Sequence, residues 1–324
     1  MRLPIFTLKV STLITKVIFL CALSLTLFSV EFTTRTQMLM GTFVDITLPK
    51  QNTFQISQSF KLIKKIEKSL SSYDKESLLY QLNQTKHIAS NPFLTETLQQ
   101  SLAYYKQTNG YFDITIGSIS KKLYHFGERI PKSPTSQALK SAVLNIESIK
   151  IDKNNITLDH NITLDLGGMG KGFGVDKVAS YLKEQNITQG KIALSGDIRC
   201  LNKCEIYIQS PFNESSFAKI ITKVDNMAIS TSGIYRRYAT KKSEHHLINP
   251  KIKKPQTNFV SLSLFGLQNN STLDAFATAI SVMPKKEALK FLKKHQDISY
   301  IVIFLDKSID YYIYNNSLSI KFLK

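Results

Sequence analysis

The sequence predicts an α+β protein in which helices pack on mixed sheets. Three observations support this class: amphipathic helical patterns dominate the first half of the chain, strand patterns dominate from residue 149 onward, and the two do not alternate regularly. Regular alternation would indicate a barrel or a doubly wound parallel sheet. No linker, internal repeat or break in composition divides residues 31–324, so we expect them to form a single domain.

The individual elements follow from apolar periodicity and from the residues that end it. Ile56, Phe60 and Ile63 recur at helical spacing, and Asn109-Gly110 is a good end for the second helix. Strands are predicted where short apolar or alternating runs lie between turn residues. The predicted helices are 56–70, 94–107, 135–143, a helix after a glycine-rich loop at 167–174, and 272–282. The predicted strands are 42–48, 149–151, 156–158, 162–166, 192–194, 206–208, 218–224, 227–230, 258–264, 299–305, 311–314 and 318–322.

Residues 1–30 are typical of a targeting segment. One arginine and two lysines precede the apolar run 17–30, and a positive flank with a short apolar core indicates a secretory signal peptide. The positions before a cleavage site fit poorly, so an N-terminal membrane anchor that is not cleaved is the alternative. In either case the remainder of the chain is expected to be exported.

The chain carries 42 Lys and Arg against 24 Asp and Glu, a net charge of +18. The lysines are dispersed, and no Arg-rich arm, zinc-finger spacing or aromatic RNA-binding stretch accompanies them, which argues against nucleic acid as a partner. A lysine-rich surface attracts an acidic partner, an anionic membrane or an anionic cofactor.

Two cysteines, Cys200 and Cys204, lie beyond the N-terminal segment. In an oxidising compartment they can close a short hairpin disulfide. A pair of free thiols is the alternative, because spacing alone does not fix the geometry.

The glycine-rich loop stands between a predicted strand and a predicted helix. Glycines at such a turn let backbone N–H groups approach a phosphate, Lys171 adds a positive charge, and Asp165 places a carboxylate at the strand end. The spacing fits neither the P-loop nor the dinucleotide fingerprint. A plain glycine-rich turn is the alternative.

A second candidate site lies on the predicted helix 272–282. Asp274 and Thr278 are four residues apart and share a face, and hard oxygen donors of this kind suit Mg²⁺. The alternative is structural: Asp274 caps the helix and Thr278 bonds back to it.

Three further segments carry side chains suited to a ligand. Thr231-Ser232-Gly233 follows an apolar strand and suits a phosphate or a flat ring. His246 precedes an apolar pair and a turn, where an imidazole can act as a general base near neutral pH. Residues 110–117 form an aromatic and acidic loop that is expected to enter a strand and to hold a ring. For the first two segments the alternatives are a simple turn followed by a surface strand and a structural histidine.

Taken in order, these blocks resemble the ApbE family, the FAD:protein FMN transferases of bacterial cell envelopes. The resemblance spans about residues 38–305. The blocks are Met40-Gly41-Thr42; Ser72-Tyr73 with Ser77 and Asn83; Gly110-x-Phe112-Asp113-x-Thr115-x-Gly117; Asp165-Leu166-Gly167-Gly168-x-x-Lys171-Gly172-x-x-x-Asp176; Gly196-Asp197-Ile198-Arg199; Ser230-Thr231-Ser232-Gly233; His246-x-x-Asn249-Pro250; and Asp274-Ala275-x-Ala277-Thr278.

The resemblance implies a fold, a reaction and a role for each matching residue. FAD would be the substrate, and its FMN half would pass to a Thr or Ser hydroxyl of an exported or membrane-bound acceptor protein with release of AMP, on the periplasmic side of the bacterial inner membrane. The implied FAD-binding residues are Met40, Tyr73, Tyr111, Phe112, Asp113, Asp165, Lys171, Thr231, Ser232, Gly233 and His246, of which His246 would also carry the proton. The implied Mg²⁺ ligands are the Gly168 carbonyl, Asp274 and Thr278.

Two positions depart from the family pattern, and two other activities remain open. Ser195 replaces the first of two glycines before Asp197, and Ala277 stands where some relatives have a second aspartate. The alternatives to transfer are an FAD pyrophosphatase that yields FMN and AMP, and an exported flavin-binding protein without turnover.

Overall fold

An antiparallel sheet of eight strands forms the centre of the molecule in the computed structural model, which describes residues 30–235, 237–256 and 258–323. The strand order is β1-β2-β6-β7-β10-β13-β14-β15. Three smaller antiparallel sheets, β16-β9-β8, β3-β5-β4 and β11-β12, surround it. The strands are β1 (Phe32–Leu39), β2 (Thr42–Pro49), β3 (His87–Ala89), β4 (Lys150–Ile151), β5 (Asn155–Thr157), β6 (Lys191–Leu194), β7 (Asp197–Cys200), β8 (Glu205–Gln209), β9 (Ser216–Thr222), β10 (Met227–Gly233), β11 (Ile248–Asn249), β12 (Lys254–Pro255), β13 (Phe259–Gly266), β14 (Ser299–Phe304), β15 (Ile309–Tyr312) and β16 (Leu318–Phe322).

Along the chain, the α-helices lie between β2 and β6 and between β13 and β14. Asn91 caps one of them by accepting hydrogen bonds from the backbone N–H groups of Phe93 and Leu94, and a left-handed Lys86 ends another. The α-helices are α1 (Thr53–Leu70), α2 (Leu78–Thr85), α3 (Pro92–Gln107), α4 (Gly117–Ser120), α5 (Ser136–Ser141), α6 (Gly170–Glu184), α7 (Asn270–Val282) and α8 (Lys285–Lys294). Short 3-10 helices cover Lys50–Asn52, Ile114–Ile116, Ile146–Ser148 and Tyr314–Asn316.

The two faces of the central sheet bury different cores. Leu262 and Leu264 of β13 face the helices and belong to the largest core, together with Phe276 of α7. Phe265, on the same strand, points the other way and packs with Ile206 and other residues of the small sheet β16-β9-β8. Alternation along each strand therefore places the central sheet between a helical layer and a second sheet.

The structure confirms the α+β class and most of the predicted elements. It adds β1, β3, β7, β11, β12, α2, α4 and α8 to the elements predicted from periodicity. Two predictions were wrong. Residues 162–166 belong to no strand, and the segment after Asp113 is the 3-10 helix Ile114–Ile116 instead of a strand.

The two cysteines are joined in a disulfide that connects the end of β7 to the residue before β8, with the two Cα atoms 5.9 Å apart. The predicted signal peptide or membrane anchor lies outside the described residues, apart from Val30. No helix within the described part of the chain is long and apolar enough to cross a membrane.

Candidate active site

One cavity of about 690 Å³ is lined by residues that lie far apart in the sequence, from Met40 to Thr278. This volume lies in the range of small-molecule and cofactor sites. All of the predicted site residues line the cavity except Tyr73. Those that line it are Met40, Tyr111, Phe112, Asp113, Asp165, Gly168, Lys171, Thr231, Ser232, Gly233, His246, Asp274 and Thr278.

Residues 162–166, which lead into the glycine-rich loop, are held by side-chain hydrogen bonds and not by pairing with a neighbouring strand. The side-chain Nδ2 of Asn83 donates to the Leu164 carbonyl at 2.9 Å, and the Leu164 N–H donates to Oδ1 of Asn83 at 2.7 Å. The next residue, Asp165, donates its N–H to the Ile114 carbonyl at 2.8 Å. The backbone N–H groups of Leu164 and Asp165 are thus bonded without a neighbouring strand, so the prediction of a strand from the alternating pattern was wrong.

Asp165 enters the cavity as a stabilised carboxylate. Its oxygens accept hydrogen bonds from Ser120 at 2.7 Å and from the Gly167 N–H at 3.0 Å, and the Lys121 ammonium lies 3.5 Å away. Burial alone would raise the pKa of Asp165, but the Lys121 charge and these hydrogen bonds outweigh it and hold this pKa below its ordinary value.

Tyr73 is placed beside the cavity wall and acts on it through Lys121. The Lys121 ammonium lies 3.7 Å from the centre of the Tyr73 ring and donates to the Tyr73 hydroxyl, which in turn donates to the Phe126 carbonyl at 3.0 Å. Lys121 itself lines the cavity. No sequence pattern pointed to this lysine, because its partners Tyr73 and Asp165 are each more than forty residues away.

Lys171 bridges two carboxylates. Its ammonium lies 2.8 Å from Asp197 and 3.3 Å from Asp274, and the Gly172 N–H also donates to Asp274 at 3.3 Å. Burial disfavours a charge on Lys171, but the two carboxylates outweigh it and raise the pKa of Lys171 above its ordinary value. Burial and the neighbouring Asp197 raise the pKa of Asp274 to about 7. Asp197 belongs to one of the family blocks, yet sequence reasoning did not include it in the site.

The predicted Mg²⁺ ligands are brought together beside this pair. The Thr278 hydroxyl lies 3.4 Å from the Gly168 carbonyl, and Asp274 is one helical turn before Thr278 on α7. Within the described residues, no group of three or more His, Cys, Asp or Glu side chains is arranged to hold a metal ion. A carboxylate, a hydroxyl and a carbonyl nevertheless fit Mg²⁺, because this ion takes few protein oxygens and completes its shell with water and phosphate.

Three side chains outside the cavity lining, those of Asp176, Arg199 and Asn270, hold the start of α7 in place. Asp176 of α6 accepts hydrogen bonds from the Asn270 and Ser271 N–H groups at 2.7 and 2.9 Å, and Arg199 of β7 donates to Asp176 at 3.1 Å. The side chain of Asn270 donates to the carbonyls of Ile198 and Ile229 at 2.9 Å each. The family blocks around Asp176 and Arg199 therefore position the helix that carries Asp274.

His246 lines the cavity, whereas its neighbour His245 is fully buried and does not. Nδ1 of His246 lies 3.2 Å from the Arg237 carbonyl. Burial and the positive charge of Arg237 lower the pKa of His246 to about 4, so the imidazole is neutral at pH 7. If Nδ1 donates to that carbonyl, Nε2 carries the free electron pair.

The aromatic loop is fixed by its own polar groups. Oδ1 of Asp113 accepts hydrogen bonds from the N–H of Thr115 at 2.8 Å and from its hydroxyl at 2.6 Å, which caps the 3-10 helix. Burial raises the pKa of Asp113. The ring of Tyr111 has the Lys251 ammonium 4.1 Å from its centre, and burial together with a hydrogen bond to Glu287 raises the pKa of Tyr111 to about 12. The loop therefore presents a rigid aromatic and acidic wall.

The segment Thr231-Ser232-Gly233, which carries two hydroxyl side chains, lies where β10 meets the turn between β6 and β7. Thr231 and Ser263 are hydrogen bonded through their hydroxyls at 2.9 Å. A Cβ on Gly196 would lie 2.9 Å from the Thr231 carbonyl, so only glycine fits there. Ser195, the departure from the family pattern, has a φ of 57°, a conformation that favours glycine.

This fold and this cavity are typical of a protein that binds a cofactor-sized ligand. The cavity lining joins Gly167 and Gly168 of the glycine-rich loop, Lys171, and the oxygen donors of α7. The chain belongs to the ApbE family, whose sequence model matches residues 40–302.

Curated relatives and solved structures agree with this membership. The FAD:protein FMN transferase of Vibrio cholerae serotype O1 is 29% identical over 273 residues, which cover 78% of this chain and 80% of the relative. That of Haemophilus influenzae is 28% identical over 268 residues, covering 76% and 77%. The structure of the flavin transferase ApbE from Vibrio cholerae superposes with a TM-score of 0.74 at 25% identity and covers 87% of this chain and 96% of its own. The ApbE protein of Thermotoga maritima, at 18% identity, shares the fold with a TM-score of 0.77 over 87% of this chain and 97% of its own.

Proposed function

We propose that this chain is an FAD:protein FMN transferase, which moves the FMN half of FAD to a Ser or Thr hydroxyl of an exported acceptor protein. The observation that carries the proposal is the position of Lys171, Asp274, Thr278 and His246 in one cavity beside the glycine-rich loop. The names of the curated relatives support the same reaction.

The reaction is a phosphoryl-type transfer with balanced bonds. The acceptor oxygen forms a bond to the FMN phosphorus, and the bond from that phosphorus to the bridging oxygen breaks. AMP leaves with the bridging oxygen and its electron pair. Such chemistry depends more on positioning and on neutralising charge than on a protein nucleophile.

His246 is the group suited to receive the hydroxyl proton. It is neutral at pH 7, because burial and Arg237 lower its pKa to about 4, and a hydrogen bond from Nδ1 to the Arg237 carbonyl leaves Nε2 as the acceptor. A pyrophosphate in the cavity adds negative charge near the imidazole, which raises its pKa toward neutrality and makes it a better base.

The remaining residues bind and orient FAD. Asp274, Thr278 and the Gly168 carbonyl would hold Mg²⁺, which supplies positive charge to the pyrophosphate when bound. Lys171 and the N–H groups at the start of α6 would face the phosphates, and Tyr111 and Phe112 would hold a ring. Residues 1–30 would direct the chain to the periplasmic side of the bacterial inner membrane, either as a cleaved signal or as an anchor.

The test is an incubation of the purified full chain with FAD, Mg²⁺ and an envelope protein extract of the source bacterium. Covalent flavin fluorescence on an acceptor band with equimolar AMP is the expected result. Free FMN with AMP would instead identify a pyrophosphatase, and unchanged FAD a carrier. Asp274→Ala is the matched control and is expected to lose both products, because it removes the carboxylate expected to hold Mg²⁺.

A further inference from the structure

The β8 strand has one edge that is paired and one that is free. It is the last strand of the sheet β16-β9-β8, and no other strand in the described residues pairs with it. The N–H of Thr222 donates to the carbonyl of Cys204 at 2.9 Å, and the ladder continues through Ile206 and Ile208. Antiparallel pairing alternates, so the N–H and C=O groups of Glu205 and Tyr207 point to the free edge.

The hydrogen bonds on the other side of β9 support this assignment of the β8 groups that face the free edge. The N–H of Lys223 donates to the Ser317 carbonyl at 2.8 Å, so the odd-numbered residues of β9 bond to β16 and the even-numbered ones bond to β8. The free edge of β8 therefore presents Tyr207 at its centre. The strand carries neither Lys nor Pro, the residues that natural edge strands use to block pairing.

The free edge is part of the wall of the candidate active site. Tyr207, Ile208 and Gln209 line the cavity that also holds Lys171 and His246. Tyr207 is 53% exposed, and Phe43 of β2, which lines the same cavity, is 63% exposed. The disulfide between Cys200 and Cys204 ties the start of β8 to the end of β7, which carries Asp197.

A hydroxyl on a Cβ atom reaches the phosphate only if the acceptor main chain runs along the cavity. An extended segment satisfies its backbone groups by joining a free strand edge, a mode that recognises the main chain and tolerates many side chains. The chain's net charge of +18 favours an acidic segment.

We propose that the free edge of β8 binds an extended, acidic, Ser- or Thr-containing segment of the acceptor polypeptide as an added antiparallel or parallel strand. This inference rests on the proposed transfer of FMN. It assigns the edge centred on Tyr207 to the acceptor and the interior of the cavity to FAD.

The test compares proline substitutions at two edge strands. Tyr207→Pro removes the N–H at the free edge and leaves the ladder to β9, which edge strands tolerate. Tyr311→Pro on β15 is the matched control. Phe304 donates its N–H to Ser308, so alternation also turns the N–H of Tyr311 to a free edge; this tyrosine is 51% exposed and lies outside the cavity wall.

The probe is a synthetic decapeptide of alternating Thr and Val with an Asp at each end, used with the full chain, FAD and Mg²⁺. We expect wild-type and Tyr311→Pro to place flavin on the peptide with equal KM, and Tyr207→Pro to raise KM about fivefold, as loss of the one main-chain hydrogen bond donated by the Tyr207 N–H implies. FAD fluorescence quenching reports whether each variant keeps a folded cavity. If Tyr207→Pro does not fold, hydrogen exchange of the backbone amides in the wild-type chain answers the same question. We then expect the peptide to slow exchange at Tyr207 of β8 but not at β15.

Three results would overturn the assignment of the edge. They are an equal KM in both variants, a peptide that is never modified although envelope proteins are, and a wild-type dimer that Tyr207→Pro converts to a monomer. A wild-type chain that modifies neither peptide nor envelope protein would instead overturn the proposed transfer itself.

Discussion

The Asp176 carboxylate of α6 caps α7 from outside that helix, by accepting the Ser271 N–H at 2.9 Å together with the preceding N–H. The residue before α7, Asn269, makes no side-chain cap of its own. The helix that carries Asp274 and Thr278 is therefore held at its N-terminus by a different helix through this carboxylate, in addition to the side-chain hydrogen bonds of Asn270.

Asp176→Ala is expected to destabilise the fold and to weaken FAD binding. It leaves the N-terminus of α7 uncapped and the buried Arg199 without its ion-pair partner, a loss of about 3–5 kcal/mol. Urea unfolding and FAD titration measure the two effects. Asp159→Ala, at an exposed position, is the control, and an equally small change in both variants would contradict the capping role.

Gly172→Ala is expected to disrupt the site, whereas Gly170→Ala in the same helix is tolerated. A Cβ on Gly172 would lie 2.5 Å from the Asn270 carbonyl oxygen and 2.7 Å from the Ser271 nitrogen, so α6 and α7 would have to separate. The nearest atom to a Cβ on Gly170 is 3.9 Å away. Comparing FAD affinity and thermal unfolding of the two variants checks this, and equal behaviour would refute it.

His246→Ala is expected to keep FAD binding and to lose transfer by roughly two orders of magnitude, the usual scale for a lost general base. His245→Ala retains transfer per folded molecule, because His245 does not line the cavity, but it lowers thermal stability because the side chain is fully buried. Single-turnover flavin transfer separates the two. Loss of FAD binding in His246→Ala would show that this histidine builds the pocket instead of carrying the proton.

Acidification is expected to destabilise the protein between about pH 6.5 and pH 4. Burial lowers the pKa of His245 from 6.5 to about 4, so across this interval the unfolded chain binds a proton that the folded chain does not. Stability is therefore present above pH 6.5 and is lost as the pH falls toward 4. His246, whose pKa is also lowered to about 4, contributes with the same sign, and Asp274, whose pKa is raised to about 7, with the opposite sign. His245→Leu should therefore lower the slope of unfolding free energy against pH in that interval by the share of one proton, and an unchanged slope would count against this origin.

Ser195→Gly is expected to stabilise the turn between β6 and β7 by about 1 kcal/mol, because Ser195 adopts a left-handed conformation that glycine reaches without strain. Gly196→Ala should have the opposite effect, since its Cβ would lie 2.9 Å from the Thr231 carbonyl. Denaturant midpoints of the two variants decide the matter. A destabilised Ser195→Gly would mean that the serine side chain makes a contact that outweighs the strain.

Periodicity predicted most strands of the central sheet, except β1 and β7, and the long helices, because alternation and helical spacing report directly on which face is buried. It failed at residues 162–166, where the bonding partner of the backbone is Asn83, a side chain 81 residues away from Leu164. A pattern of apolar residues carries no information about such a partner. The segment therefore looks like a strand in sequence and is not one in space.

In the candidate site, too, some residues were predicted from the sequence and others were missed. Residue type and spacing singled out Lys171, Asp274 and Thr278, because their chemistry suits phosphate and Mg²⁺. Asp197 and Lys121 were missed as site residues, since each acquires its meaning from a charge brought to it across the fold. Tyr73 was expected to touch the ligand, and the structure places it behind Lys121.

Pairing of β2 with β6 has a consequence for the order in which the protein matures. Val44 lies opposite Leu194, so the strand that follows Met40 meets its partner only after about 150 intervening residues, which include the glycine-rich loop, have been synthesised. Closing so long a segment carries a large entropic cost that must be met before the contacts reward it. The cavity walls from β2, α6 and α7 therefore come together late, and a nascent or truncated chain has no complete pocket in which to capture flavin.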